Sequence, residues 1–233
     1  MYRRCLIKVS GEALAGQRSF GIDPEKTAWI AAEIAKGARK GAQIGIVIGG
    51  GNILRGVNAS SVGVDPLIGD SMGMIATVLN GMALRSAIYR AGIEARLLCA
   101  FQVGAMVEVF DQERARSYLE EGKILIFAGG TGNPCFTTDS AAALRAVQIQ
   151  AEVMIKATQV DGVYDKDPKK FSDAIRFDSI TPEEVLERRL KVIDAASIEI
   201  LRRVQMPVMV INLHVQGNIE KAVSGQKIGT TVV

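Results

Sequence analysis

Lys8-Val-Ser-Gly-Glu12 closes a short apolar run that begins at Cys5, and this stretch decides the fold. Because side chains alternate between the two faces of a strand, Lys8 and Ser10 point to one side and the apolar residues beside them to the other. A buried ammonium group must be paired, so an anionic group is expected on the Lys8 face. Gly11 lets backbone N–H groups come close to a ligand, as phosphate-binding loops require. The alternative is an edge-strand lysine whose ammonium group reaches water.

A second apolar strand, Gln43–Ile48, runs directly into Gly49-Gly-Gly-Asn52, and Arg55 follows within one turn. A glycine-rich turn at the carboxyl end of a parallel strand is where open α/β sheets bind ligands. The planar guanidinium group of Arg55 suits phosphate. The sequence contains neither G-x-x-x-x-G-K-[ST] nor a complete G-x-G-x-x-G, which disfavours a P-loop kinase and an ordinary dinucleotide dehydrogenase.

A third glycine-rich turn, Gly129–Gly132, lies between a predicted strand, Ile124–Ala128, and a helix that Thr138 or Asp139 is expected to cap. Free N–H groups in such a turn, together with a helix N-terminus, form an anion site. Asp139 at that place would repel phosphate unless a cation or Mg²⁺ intervenes, and Lys8 is the natural partner. One such turn fits an ordinary capped helix equally well, whereas three turns at strand ends in one chain favour nucleotide binding.

Length and composition narrow the class of protein. The 233 residues are 48% hydrophobic, enough for one domain with a soft lobe boundary near residue 150. The net charge of +3, scattered basic residues and 5% aromatics argue against nucleic-acid binding. Three separated cysteines and a single histidine, His214, disfavour a zinc site and fit a reducing cytoplasm. We see no targeting segment, and no apolar stretch approaches the ~18 residues of a membrane span, so no membrane is expected.

Strand and helix patterns alternate along the chain, which predicts an α/β fold with a mostly parallel sheet covered by helices. A helix is expected from the Asp23 cap to about Lys40, and a long helix after residue 67 should have one apolar face. That face comprises Met74, Ile75, Val78, Leu79, Met82 and Tyr89. Further predicted elements are strands at Ala95–Ala100, Val153–Ala157 and Val208–Ile211, helices at Asp111–Glu121 and Asp194–Val204, and a capping box at Thr181–Glu184.

Taken together, these motifs resemble the bacterial uridylate kinases of the amino acid kinase superfamily over essentially the whole chain. The matching stretches are Lys8–Leu14, Gly49–Asn52 with Arg55-Gly56, Gly69–Met74, Thr131–Pro134, Phe136–Ser140, Lys156–Thr158 and Val160–Tyr164. The resemblance implies a three-layer α/β/α sandwich of the amino acid kinase type. It also implies an acceptor-binding N-terminal part and an ATP-binding C-terminal part.

The resemblance further implies a role for each matching residue. Lys8 is expected to act on the transferring phosphoryl group, with Asp139 orienting it and Arg55 reaching the phosphate zone. ATP is expected at Lys8, Val9, Ser10, Gly11, Gly51, Arg55, Thr158, Tyr164 and Asp167. UMP is expected at Gly50, Asp70, Thr131, Gly132, Asn133, Pro134, Cys135, Phe136, Thr137 and Thr138, with Asp70 on the ribose hydroxyls. Mg²⁺ is expected to accompany ATP, with Asp194 as a candidate near it.

Regulation and assembly follow from the same resemblance: a homohexamer, inhibited by UTP, with GTP as an activator in many members. The expected GTP segment is Gly16-Gln17-Arg18-Ser19-Phe20-Gly21. Cys135 departs from the pattern, since a bulky residue is expected there, and residues 58–66 match poorly. Two alternatives stay open: an acyl-phosphate-forming kinase, for carbamate or acetylglutamate, and a non-catalytic nucleotide-binding or storage assembly.

Overall fold

A single sheet of nine strands runs through the molecule. The structure is a computed structural model that describes residues 1–54, 63–190 and 192–233. The strand order is β4-β3-β5-β2-β1-β6-β10-β11-β9, with every pairing parallel except β10 with β11. The strands are β1 (Arg4–Val9), β2 (Gln43–Ile48), β3 (Ala95–Cys99), β4 (Glu108–Val109), β5 (Ile124–Ala128), β6 (Val153–Thr158), β9 (Ser179–Ile180), β10 (Val208–Asn212) and β11 (Thr230–Val232). A separate antiparallel hairpin pairs β7 (Val163–Tyr164) with β8 (Arg176–Phe177).

Helices cover both faces of the sheet, as predicted. They are α1 (Glu12–Ala15), α2 (Pro24–Arg39), α3 (Pro66–Arg90), α4 (Gln112–Glu120), α5 (Thr138–Gln148), α6 (Pro182–Glu187), α7 (Ala195–Arg203) and α8 (Asn218–Val223). Apolar side chains of α2, α3 and α8 pack with Ile7 and Val9 on one face. Those of α4, α5, α6 and α7 pack with Leu6 on the other. The strand alternation predicted around Lys8 is therefore confirmed.

Helix α3 differs from the expectation. Of the predicted apolar face, Val78 is buried, but Ile75, Leu79, Met82 and Tyr89 are exposed. The buried side of α3 combines small and polar residues, Ala76, Thr77, Asn80, Gly81 and Ala87, with the large apolar side chains of Leu84 and Ile88. By length and composition alone α3 could cross a membrane, but it packs against α2, β3 and β5 as a core helix. The helix is apolar on two sides, so periodicity did not show which side faces the sheet.

One predicted helix cap is also corrected. Thr137, rather than Thr138 or Asp139, is the N-cap of α5, because its hydroxyl accepts hydrogen bonds from the next helical N–H groups. Helix α3 begins at Pro66 with Asp65 as its cap, so Asp70 lies inside the helix. The Asp23 cap and the Thr181–Glu184 capping box are confirmed, and Asp111 and Asp194 cap the helices predicted to begin there.

Candidate active site

Two lysines and one aspartate form a cluster at the centre of the sheet. Lys8 on β1 and Lys156 on β6 are register partners on adjacent parallel strands, so both side chains leave the same face. Asp139, in the first turn of α5, lies between them. Its Oδ1 is 2.9 Å from Lys8 Nζ and its Oδ2 is 2.5 Å from Lys156 Nζ. All three side chains are between 11% and 14% exposed, so the expected anionic partner of Lys8 is present.

The two ion pairs of this cluster differ in geometry. Lys156 donates a hydrogen bond to Asp139, whereas the contact of Lys8 with Oδ1 lacks hydrogen-bond geometry. Burial lowers the pKa of Lys156 below its usual value; Asp139 opposes that shift and Lys8 adds to it. Lys8 is therefore held mainly by charge, and its N–H groups can serve a ligand. With two cations and one anion, the cluster has a net positive charge that suits a phosphate group.

A cavity of about 270 Å³ opens beside Lys8. It is enclosed by the turns that follow β1, β2 and β5 and by the N-terminal half of α3, since the carboxyl ends of parallel strands meet at one edge of the sheet. Of the predicted site residues, it is lined by Lys8, Ser10, Gly11, Gly50, Gly51, Asp70, Thr131, Asn133, Phe136, Thr137 and Thr138. Val9 lies in the buried strand, Arg55 lies outside the described residues, and Gly132, Pro134 and Cys135 belong to the same loop without lining the cavity.

The glycines of the first two turns allow the backbones to meet. A Cβ atom added at Gly11 would lie 2.5 Å from the carbonyl oxygen of Gly49, a distance that no side chain tolerates. One added at Gly50 would lie 2.7 Å from the carbonyl oxygen of Gly73 on α3. Within the described part of the chain, the N–H groups of Gly50 and Gly51 donate no hydrogen bond. They are free donors at the cavity wall, as an anion site requires.

Asp70 is tied to the loop that follows β5. Its Oδ2 accepts a hydrogen bond of 2.8 Å from the N–H of Cys135, which has a left-handed φ of 68°. Asp70 therefore acts in this structure as a clamp between α3 and the loop, at the edge of the cavity. A cysteine adopts that backbone conformation at some cost, and the Asp70 bond helps to hold it.

Asp194 caps α7 and binds the start of α5. It accepts hydrogen bonds from the hydroxyls of Thr137, Ser140 and Ser197 and from the N–H of Ser197. Burial raises the pKa of Asp194, but these hydrogen bonds outweigh it and hold the pKa below its usual value. The described residues contain no group of three metal-ligating side chains. A metal role for Asp194 stays a prediction, since its oxygens are already engaged.

The residues predicted for adenosine lie away from this cavity. Tyr164 and Asp167 line a separate depression beside the β7–β8 hairpin, and Thr158 ends β6. Tyr164 Oη donates a hydrogen bond of 2.6 Å to Asp161, and this bond is the main cause that raises the pKa of Tyr164. The side chain of Asp167 accepts a hydrogen bond from the N–H of Lys169. The residues predicted for adenosine therefore lie in the second half of the chain, apart from the cavity beside Lys8.

The segment predicted for GTP forms a turn between α1 and α2. Gly16 and Gly21 have left-handed φ values of 62° and 88°, and Phe20 is exposed. The guanidinium group of Arg18 lies 3.5 Å from Asp23 and is more than half exposed. The segment joins the Gly49–Asn52 turn, because the N–H of Gly21 donates to the carbonyl of Asn52.

Lys156 is the functional candidate that sequence reasoning did not assign. It belongs to the stretch Lys156–Thr158 that resembles the family, but no catalytic or binding role was predicted for it. The available signal was the one that singled out Lys8, a lysine inside an apolar strand, here Val153–Thr158. What was missing was the pairing of β1 with β6, which places the two lysines side by side.

Comparisons with known proteins identify the family of this chain. The model of the amino acid kinase family matches residues 3–212. The uridylate kinase of Brucella anthropi is 48% identical over 225 residues, 97% of this chain and 94% of that protein. The uridylate kinase of Xanthomonas campestris pv. campestris is 47% identical over 231 residues, 99% and 96% of the two chains.

Solved structures give the same result. The UMP kinase from Bacillus anthracis superposes with a TM-score of 0.96 at 33% identity, covering 99% of this chain and 96% of its own. The UMP kinase from Ureaplasma parvum has a TM-score of 0.93 at 34% identity, covering 100% and 99%. The chain belongs to the amino acid kinase family and, within it, to the uridylate kinases.

The aspartate between the lysines gives a pH-dependent prediction. Asp139→Asn leaves two buried ammonium groups with no anion and should lower the free energy of unfolding at neutral pH by roughly 3 kcal/mol. The pKa of Lys156 in the folded variant should fall further below the value of about 10.4 that a lysine has in the unfolded chain. Between these two pKa values the unfolded chain binds more protons than the folded one. The variant should then regain stability as the pH rises, more steeply than wild type, in urea unfolding from pH 7 to 9.5.

The matched control is Asp111→Asn, which removes one negative charge from an exposed helix cap that asparagine also serves. If the free energy of unfolding of Asp139→Asn changed with pH in the same way as that of wild type does, Asp139 would not balance the Lys156 charge.

Proposed function

We propose that this protein is a UMP kinase, which transfers the γ-phosphate of ATP to UMP and gives ADP and UDP for pyrimidine nucleotide synthesis. The observation that carries this assignment is the cluster of Lys8, Asp139 and Lys156 beside a cavity walled by free glycine amides. Its relatives at 47–48% identity over nearly the whole chain are uridylate kinases, which supports the same acceptor.

The chemistry needs alignment and charge neutralisation more than covalent help from the protein. The phosphate of UMP is already an anionic nucleophile at neutral pH, so no general base is required. Lys8 neutralises charge that develops on the transferring phosphoryl group, and the glycine amides donate to its oxygens. Asp139 holds Lys8 in place through their ion pair. Lys156 adds a second positive charge on the same side of the sheet.

Mg²⁺ fits this site as a companion of ATP. When bound, it neutralises phosphate charge, and Mg²⁺ is usually held by substrate phosphates and water with one or two carboxylates. The described residues form no protein cage for it, since Asp139 faces two lysines and Asp194 is saturated with hydrogen bonds. Ser10 and Gly11 bind the phosphates directly, through their own hydrogen-bond donors.

The two halves of the chain divide the substrates. The Asp70 segment, Gly50 and the Thr131–Thr138 loop hold UMP, because together they enclose the cavity beside Lys8. The ATP phosphates lie along Lys8–Gly11 and Gly51, and adenosine lies toward Thr158, Tyr164 and Asp167. Arg55 is assigned to the phosphate zone by resemblance alone. The boundary near residue 150 separates only the adenosine region from the residues assigned to UMP and to the phosphates, within one continuous sheet.

A single assay separates this function from its alternatives. Release of ADP from ATP is measured with UMP, CMP, carbamate or acetylglutamate as the acceptor. We expect turnover with UMP and a loss of roughly 10²–10³-fold in kcat for Lys8→Ala, with an unchanged circular dichroism spectrum. Turnover with carbamate or acetylglutamate alone would establish an acyl-phosphate kinase, and none with any acceptor would favour a binding or storage protein.

Asp70 gives a test of acceptor recognition. If its carboxylate grips the ribose, Asp70→Asn replaces charge-assisted hydrogen bonds by neutral ones and costs roughly 1–2 kcal/mol. The KM for UMP should then rise about tenfold, while the KM for ATP stays unchanged. Asp65→Asn is the control, because Asp65 only caps the same helix and asparagine caps equally well. Equal UMP kinetics in the two variants would remove Asp70 from the acceptor site.

We propose that the protein assembles as a homohexamer in which the outer face of α3 forms a pairwise contact between copies, one of at least two contacts that a hexamer needs. The exposed side chains there recur at alternating spacings of four and three, the pattern by which helices pair: Ile68, Met72, Ile75, Leu79 and Met82. Four of them, Ile68, Met72, Ile75 and Leu79, line an apolar groove of about 490 Å³ together with Ile53 and Leu54. A second copy of α3 presents the same stripe, so the surface is self-complementary.

Charge placed on this stripe should break the assembly. Leu79→Glu would bury a carboxylate in an apolar interface, and sedimentation velocity should show smaller species than the wild-type hexamer. Gln112→Glu, which adds the same charge to an exposed position of α4, should leave the sedimentation coefficient unchanged. An intact hexamer in Leu79→Glu would exclude this face as a contact.

Regulation by UTP as inhibitor and GTP as activator, and a cytoplasmic location, complete the proposal. The GTP segment Gly16–Gly21 is supported by its exposed Arg18 and by its hydrogen bond to the Gly49–Asn52 turn. Initial rates with UTP or GTP added test both effectors directly.

A further inference from the structure

The buried side of α3 contains two polar residues one turn apart. Thr77 is 2% exposed and Asn80 is fully buried. Buried polar groups are costly unless they are hydrogen-bonded, so their partners show what they do. Thr77 Oγ1 accepts a hydrogen bond of 2.7 Å from the N–H of Gly129, and Asn80 Nδ2 donates one of 2.7 Å to the carbonyl of Gly49. One helix face thus contacts both the turn after β2 and the turn after β5.

The bond from Asn80 fixes a direction in the first turn. The Gly49–Gly50 peptide is planar and trans, so the N–H of Gly50 points opposite to the Gly49 carbonyl. Because that carbonyl is held toward Asn80, the N–H of Gly50 points away from the side-chain amide of Asn80. Among the described residues this N–H has no partner, and Gly50 lines the cavity beside Lys8.

Asn80 itself is locked by Asn52. The two side-chain amides bond each other reciprocally, at 2.6 and 3.0 Å, and the remaining N–H of Asn52 donates to the carbonyl of Gly21. All four side-chain N–H groups of the pair are used, so neither amide can turn without breaking bonds. The pair also touches the β1 turn, since a Cβ at Gly11 would lie 2.7 Å from Asn52 Oδ1.

We propose that Asn80 is a positioning residue that aims the backbone N–H of Gly50 at the transferring phosphoryl group, and that Thr77 holds the turn after β5 in place through its hydrogen bond with Gly129. Asn80 does not line the cavity beside Lys8 and acts through Gly49, whereas Thr77 lines that cavity and also holds Gly129. Donors that stabilise developing charge must be oriented before the reaction, and a displacement of about 1 Å can cost on the order of 10²-fold in rate. This inference rests on the proposed phosphoryl transfer for its kinetic readout.

The kinetic test compares variants that disturb the turns with one that disturbs only the core. Asn80→Leu and Thr77→Val remove the bonds to Gly49 and Gly129 at similar volume. We expect each to lower kcat for UMP phosphorylation roughly 10–10²-fold at a temperature where the variant is folded, whereas Thr77→Ser, which keeps the hydroxyl, restores most of the rate. Leu84→Ala on the same helix should lower the melting temperature and leave kcat near wild type. Losses of kcat no larger than that of Leu84→Ala would overturn the proposal.

A second measurement needs neither variant nor turnover. In wild-type protein labelled with ¹⁵N, inorganic tripolyphosphate should shift the amide signals of Gly50 and Gly51, while the Gly129 amide, bonded to Thr77, stays protected from hydrogen exchange. An unprotected Gly129 amide, or Gly50 and Gly51 signals that do not move, would refute the positioning role even if the variants fail to fold. Wild type that binds tripolyphosphate in this way yet does not phosphorylate UMP would instead refute the proposed function.

Discussion

The site depends on one buried ion cluster, in which Asp139 balances two lysines of adjacent strands. Lys8 and Lys156 are brought together by the pairing of β1 with β6, and two buried ammonium groups on one face repel each other. Asp139 can separate them only because α5 begins at that place, with Thr137 as its cap. The Thr137 hydroxyl is in turn fixed by Asp194, the cap of α7. The charge balance of the cluster therefore sets how α5 and α7 lie against the sheet.

Helix α3 connects the cavity with the outer surface of the protein. Its inner side holds Asp70, Thr77 and Asn80, which bond the Cys135 loop and the two glycine turns. Its outer side is the apolar stripe assigned to assembly. A helix is stiff along its axis, so a small shift imposed at the stripe reaches all three loops together. If copies of the chain pair through α3, assembly and the direction of the catalytic donors are mechanically linked.

Much of this arrangement could be predicted from the sequence, and the failures have physical causes. Strand alternation around Lys8 and the glycine turns at strand ends are local patterns, and they predicted the cavity and the Asp139 partner. The packing side of α3 was not predictable because that helix is apolar on two sides, and its inner side mixes small and polar residues with Leu84 and Ile88. Asn80 gave no signal, since its partner is a carbonyl 31 residues away.

The N-cap of α5 is a second feature that local sequence could not predict. Thr137, Thr138 and Asp139 are all good N-cap types, and local sequence does not choose among them. Tertiary contacts decide: the bond to Asp194 selects Thr137, and this choice turns Asp139 from a cap into the anion that the lysines need. Had Asp139 capped the helix, its carboxylate would have faced the helix N–H groups and left Lys8 and Lys156 unbalanced. The role proposed for Asp139 thus depends on a threonine taking the capping position two residues earlier.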